Sequence, residues 1–197
     1  MSEVSSIKRV AVYCGSKSGD SPLFVEAARM FGACMASSGL DLVYGGAAHG
    51  MMGAIASAVL DGGRHVIGVI PRGLARQEFA HPGLSEAIVV DDMYTRKALM
   101  ASKADAFVAL PGGFGTMDEL FDMLTGAQVG LHTKPIGLLN LDGFYEPLLE
   151  WISGALQRGF IPSGLKDLLL VRSDPQELVR ALLTHQPPPS AVRWIRN

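Results

Sequence analysis

Residues 106–119 read AFVALPGGFGTMDE. The first five form a short apolar run suited to a buried strand, and the glycine-rich loop PGGFGTMDE, 111–119, follows it without a break. Apolar positions at helical spacing then continue over 117–129. A strand, a glycine loop and a helix in that order form the unit from which a parallel sheet with crossover helices is built. The glycines permit positive φ and leave backbone N–H groups uncovered, while the helix adds its positive N-terminal end, so such a loop can approach an anion closely.

The same unit recurs on both sides of this stretch. Apolar, β-branched runs over 10–13, 42–44, 65–70, 87–90, 136–139 and 168–171 read as further strands. Helical periodicity occupies 22–36, 51–60, 93–102, 145–158 and 175–183 between them. Crossovers of this length are right-handed almost by rule, which gives an α/β fold: a Rossmann-like, doubly wound parallel sheet with helices on both faces. Ligands of such sheets bind beyond the carboxyl ends of the strands, near a switch in strand order. Residues 1–186 are expected to form one nucleotide-binding catalytic domain, and 187–197, opening with Pro187, Pro188 and Pro189, an extended tail.

Two more glycine loops follow strands on the expected ligand edge, Cys14-Gly15-Ser16 and YGGAAHGMMG over 44–53. Any one of them could simply make a tight strand-to-helix turn; three together favour a phosphate site. The common nucleotide fingerprints do not fit. Gly45-Gly46-Ala47-Ala48-His49-Gly50 lacks the G-x-G-x-x-G order, the run from Gly113 ends on Asp118 where the last glycine belongs, and no G-K-[ST] follows any loop.

Composition narrows the partners. Among 197 residues, 48% are hydrophobic, 18% are charged and 23 are glycine, which suits a buried parallel sheet and hints at a buried subunit interface. A net charge of −2 gives no electrostatic footprint for nucleic acid or an anionic membrane, which leaves small molecules as the expected ligands. No apolar run approaches the roughly 18 residues of a membrane helix. Cys14 and Cys34 are too few and too far apart for a disulfide framework and read as buried thiols in a reducing, cytoplasmic setting. His49, His65, His81, His132 and His185 are scattered without ligand spacing, so no metal is expected.

At PGGFGTMDE the chain closely resembles the LOG (lonely guy) family of cytokinin riboside 5′-monophosphate phosphoribohydrolases, whose hallmark P-G-G-x-G-T-x-x-E is matched at all six specified positions. Residues 44–53 look like that family's second glycine motif and MYTRKALM, 93–100, like its M-x-x-R-K-x-x-M helix; the resemblance covers about 10–160. Ala47 stands where many members have a third glycine, and Tyr94 and Thr95 where many have His and Glu. The resemblance implies a Rossmann-like homodimer that hydrolyses the N-glycosidic bond of adenosine-type 5′-monophosphates without a cofactor. By position it implies Arg96 and Glu119 as the catalytic pair. Nucleotide contacts would come from Ser16, Gly45, Gly46, Glu78, Lys97, Gly113, Phe114, Gly115, Thr116, Met117, Asp118 and Thr125.

Each candidate also has a plainer reading. A carboxylate at Glu119 could stabilise positive charge on the ribose and orient or deprotonate water, and the helix dipole near it favours the ionised form. Thr116-Met117-Asp118-Glu119 is equally a capping box, with Glu119 bonding back to the Thr116 N–H. Asp118 lies about 100° around the helix and should face another way. Arg96 is either a rigid charged fork for phosphate or ribose, or the partner of Asp92 in an i,i+4 surface pair. Lys97 is a second phosphate contact or a surface lysine, and Glu78 a contact to base or ribose or an exposed loop acid. Thr125 either touches the nucleotide or bonds back to a helix carbonyl, and Ser16 either meets the phosphate or caps the next helix. His49 reads as a solvated loop residue. The stripe Phe121, Leu124, Gln128 and Leu131 reads as core or, in part, as a twofold interface.

Two other functions compete. A nucleotide or cofactor carrier could use the same loops without turnover, although retention of both Arg96 and Glu119 argues against it. A lysine decarboxylase would need a Schiff-base lysine that the sequence does not single out.

Overall fold

The computed structural model describes residues 7–75 and 80–186. Seven parallel strands form one sheet: β1 (Arg9–Tyr13), β2 (Asp41–Tyr44), β3 (Val66–Pro71), β4 (Glu86–Val90), β5 (Ala106–Ala109), β6 (Ile136–Leu139) and β7 (Leu169–Arg172). Their order is β4-β3-β2-β1-β5-β6-β7. The chain therefore winds outward from β1 to one edge, returns to the other side of β1, and winds out again. Beside β1 and β5 the connections part to opposite edges, which opens the crevice that a doubly wound sheet offers to ligands.

The helices are α1 (Pro22–Ser37), α2 (Gly50–Asp61), the single turn α3 (Arg72–Ala75), α4 (Met93–Lys103), α5 (Phe114–Gln128), α6 (Glu146–Gln157) and α7 (Pro175–Leu183). The pleat sorts the strand residues between them. Val10, Val12 and Cys14 point into a core shared with α1, α2 and α7, whereas Ala11, Tyr13 and Phe107 point into one shared with α4 and α5. Tyr13 and Phe107 stack at 6.4 Å, and burial of side chains this large contributes about 1.5–3 kcal/mol each. Helices thus cover both faces, as the alternating pattern predicts. Cys14 is buried as expected, but Cys34 is only half-buried, and both are free thiols.

Local signals start most helices where the sequence places them. Ser21 accepts the Leu23 N–H with Pro22 at the first turn of α1. Asp92 accepts from Thr95 at 2.7 Å to begin α4, and Asp174 from Glu177 at 2.8 Å to begin α7. The exception is α5, which begins at Phe114, three residues before the expected 117, with Gly113 as its cap and no side-chain cap bond. The expected tail, 187–197, lies outside the described residues. Among those described, no helix is long and apolar enough to cross a membrane.

Candidate active site

The three glycine loops meet at the carboxyl edge of the sheet. The Gly15 N–H donates to the Pro111 carbonyl at 3.0 Å, joining the loops after β1 and β5, and the Met52 N–H donates to the Gly15 carbonyl at 3.3 Å, joining α2 to them. The fit is close: a Cβ on Gly112 would lie 2.9 Å from the Gly15 nitrogen and overlap the Thr116 hydroxyl. A side chain on Gly50, itself at φ +61°, would overlap the Ser16 carbonyl. The Gly15-Ser16 loop therefore lies over the start of α2. The start of α5 remains open, with Gly113, Phe114 and Gly115 exposed, Phe114 95% so. Its first N–H groups have no side-chain cap, the arrangement that receives an anion at a helix N-terminus.

Beside this opening lies a buried ion pair. Arg96, from the first turn of α4, donates through Nε to the Val69 carbonyl at 3.0 Å and through Nη1 to Glu119 Oε1 at 2.9 Å. Only 9% of the arginine side chain and 4% of the glutamate side chain are exposed. Burial pushes the Glu119 carboxyl up to about 7, against the lowering effect of the Arg96 charge. The expectation of a carboxylate held ionised by the helix dipole is thus corrected. Glu119 sits in the second turn of α5, beyond the reach of the dipole, and its desolvation dominates. The same carboxylate contributes to raising Tyr13, although burial of that phenol is the larger cause.

Both plain readings of the pair fail. Thr116 lies inside α5 and Glu119 turns to Arg96, so the capping box does not form. Asp92 spends both carboxylate oxygens on Thr95, so the surface pair with Arg96 does not form. Asp118 does face another way: it accepts from Lys97 at 3.0 Å, with Asp122 of the next turn 3.3 Å from the same ammonium. For Lys97, partial burial lowers the pKa, but the hydrogen bonds to Asp118 and Asp122 outweigh it and hold the ammonium above its ordinary value. Lys97 is therefore a lysine anchored on one side rather than a loose surface residue.

The remaining candidates divide. Ser16 is exposed on the loop, and the cap of α1 is Ser21, which removes the capping reading. Gly45 and Gly46 are buried, Gly46 at φ +83° against Ile70. Met117 is half-buried against the core on its face of the sheet. Thr125 does not join the Arg96–Glu119 cluster; it lines a groove between α5 and α6 with Phe121, Leu124 and Trp151. The stripe read as core is thus only partly buried, with Leu131 70% exposed. His49 is exposed, and Glu78 lies outside the described residues. Sequence reasoning missed the Val69 carbonyl, a backbone acceptor that no side-chain pattern can announce. Among the described residues no group of three His, Cys, Asp or Glu could hold a metal ion.

Comparison with known proteins gives the family and the fold. Residues 52–182 match the family model described as "Possible lysine decarboxylase". A cytokinin riboside 5′-monophosphate phosphoribohydrolase of Arabidopsis thaliana is 46% identical over 183 residues, covering 93% of this chain and 84% of that one. One from Oryza sativa subsp. japonica is 46% identical over 93% of this chain and 76% of its own length. Among solved structures, a molybdenum cofactor binding protein from Rippkaea orientalis superposes with a TM-score of 0.68 at 21% identity, over 90% of this chain and 98% of that one, which shows a shared fold. The molybdenum cofactor carrier protein of Chlamydomonas reinhardtii does so with a TM-score of 0.68 at 22% identity, over 91% and 99%. From the family model and from relatives this similar over 93% of this chain, the chain belongs to the family of the cytokinin riboside 5′-monophosphate phosphoribohydrolases.

Proposed function

We propose that this protein hydrolyses the N-glycosidic bond of N6-modified adenosine 5′-monophosphates, and of AMP itself, with Arg96 and Glu119 as the catalytic pair. The observation that carries the reading is the buried contact between these two side chains beside an uncapped helix start. Relatives near 45% identity bear the name cytokinin riboside 5′-monophosphate phosphoribohydrolase. The 5′-phosphate rests on the open first turn of α5, at Gly113, Phe114, Gly115 and Thr116, with Ser16 and Lys97 at its margin. The ribose then lies towards Glu119. As the C1′–N9 bond breaks, N9 takes the bonding electrons and a proton from solvent, to which Glu119 later returns the one it takes, and positive charge builds on C1′ and the ring oxygen. Glu119 in its ionised form stabilises that charge and takes a proton from the water whose oxygen bonds to C1′. Ribose 5-phosphate and the free base result. Arg96 orients the carboxylate and favours its ionised form.

The α5–α6 groove suits a second copy of the chain. Trp151 is 57% exposed, and its ring meets Phe121 edge-on at 5.8 Å. Leu131 and Phe160 add further exposed apolar surface, which supports a homodimer through this face. A cytoplasmic setting accords with the two free thiols. The carrier reading is the less favoured, because a carrier needs no buried carboxylate with a pKa near neutrality. A lysine decarboxylase is disfavoured by Lys97, whose amine is held charged by two carboxylates rather than poised to attack a carbonyl.

Incubation of the protein with AMP and with N6-isopentenyl-AMP, with free base and ribose 5-phosphate measured, tests the reading. Glu119→Gln, which can still accept the Arg96 hydrogen bond, should fold and lose about 100-fold or more in rate. Nucleotide binding without base release by the wild type would replace the hydrolase with the carrier.

A further inference from the structure

We infer that Gly45 is a positioning residue, whose missing side chain makes the space in which the Arg96 guanidinium lies against Glu119. Gly45 ends the loop side of β2 and is buried. A Cβ built on it would overlap Arg96 Nη2, and its other close neighbours are the Sδ and Cε of Met52, both at 3.2 Å. A methionine end can swing aside at little cost. The guanidinium cannot, because the Val69 carbonyl holds Nε at 3.0 Å and Glu119 holds Nη1 at 2.9 Å.

Backbone conformation does not explain the glycine. Its neighbour Gly46 has φ +83° and a clash with Ile70, so Gly46 is needed for the turn itself. Gly45 is not among the positive-φ residues, and an alanine could adopt its backbone. What an alanine could not do is share that volume with Arg96. Among the described residues, Nη2 of Arg96 makes no hydrogen bond, and it is the atom that a side chain at Gly45 would displace. The second glycine loop, which reads in the sequence as a phosphate cradle, is in this respect the seat of a side chain.

The assignment rests on the phosphoribohydrolase reading only for its kinetic consequence. Glu119 is faced by Arg96 and Lys97 from α4, by Asp118 on its own helix, by Tyr13 of β1 and by Cys14 just after it. Of these, Arg96 is the one nearest a side chain at Gly45, so a shift in Glu119 titration on substituting Gly45 reports the arginine.

Four proteins decide the question: wild type, Gly45→Ala, Arg96→Ala and the double variant. Each is measured for thermal unfolding, for base release from AMP, and for Glu119 titration by carboxyl-selective 13C NMR, with Glu119→Gln to assign the signal. In Gly45→Ala, kcat should fall about 10- to 100-fold with KM changed far less. The Glu119 midpoint should rise by about one pH unit or more as its cation moves away. In the Arg96→Ala background the alanine at 45 should add nothing to either readout. Equal losses in both backgrounds, or an unmoved Glu119 midpoint in Gly45→Ala, would overturn the assignment. If Gly45→Ala does not fold, a folded double variant supports the clash with Arg96, and an unfolded one overturns it. If the wild type releases no base, the hydrolase reading fails while the NMR titration still decides the role of Gly45.

Discussion

Arg96 of α4 and Glu119 of α5 are 23 positions apart in the chain, yet their side chains meet at 2.9 Å in a region almost closed to water. The contact exists because α4 precedes β5 and α5 follows it, so both helices lie on the same face of the sheet and their starts reach the ligand edge together. The pair caps neither helix: Asp92 caps one, and the other has no side-chain cap. An ion pair removed from solvent is costly to bury unless it does something else.

Activity should follow the ionised fraction of Glu119. Burial raises this carboxyl to about 7, so the base form dominates above that pH and is lost below it. The profile of kcat/KM against pH is expected to have an acid limb with its midpoint near that value, falling about tenfold per unit below it. A flat profile from about pH 5 to 8 would assign the limb, and the base, to another group.

Gly113→Asp separates the phosphate site from the fold. Gly113 caps α5 at φ −100° and ψ −152°, a conformation open to any residue, and a Cβ there meets nothing within 4 Å. An aspartate should cap the free N–H groups and hold or raise stability by about 0.3 kcal/mol. Its carboxylate would occupy and repel the phosphate position, so KM for AMP should rise about tenfold or more while the unfolding temperature does not fall. An unchanged KM would place the phosphate elsewhere.

Trp151→Glu should dissociate the proposed homodimer. Trp151 lies across the groove from Phe121 with more than half its surface exposed, so a charge there leaves the monomer core intact but cannot be buried against a second copy. Light scattering should give twice the chain mass for the wild type and the single mass for the variant. A wild type of single mass would show that this face serves something else.

The sheet was legible because strands buried on both faces read as continuous apolar runs, and because Ser21, Asp92 and Asp174 mark helix starts by a local bond. The start of α5 was not. Gly113 and Gly115 look like loop residues, and Thr116 with Glu119 looks like a capping box, but the uncapped helix begins earlier and Glu119 has a partner on another element. Thr125 likewise carries no local mark of its groove, which forms only where α6 and the segment before β7 pack against α5.

The sequence by itself determined the order of elements, the glycine-rich loops and the family, since these depend on neighbours in the chain: periodicity, caps and an unbroken motif. Only the tertiary structure decided which side chains share a charge and which glycine makes room for them. Gly45, Val69, Arg96 and Glu119 come from the loop after β2, from β3, α4 and α5, and nothing local to any of them encodes a contact that exists only once the sheet has set those elements side by side. The raised Glu119 carboxyl follows for the same reason, because desolvation is a property of the packed core and not of the residues on either side.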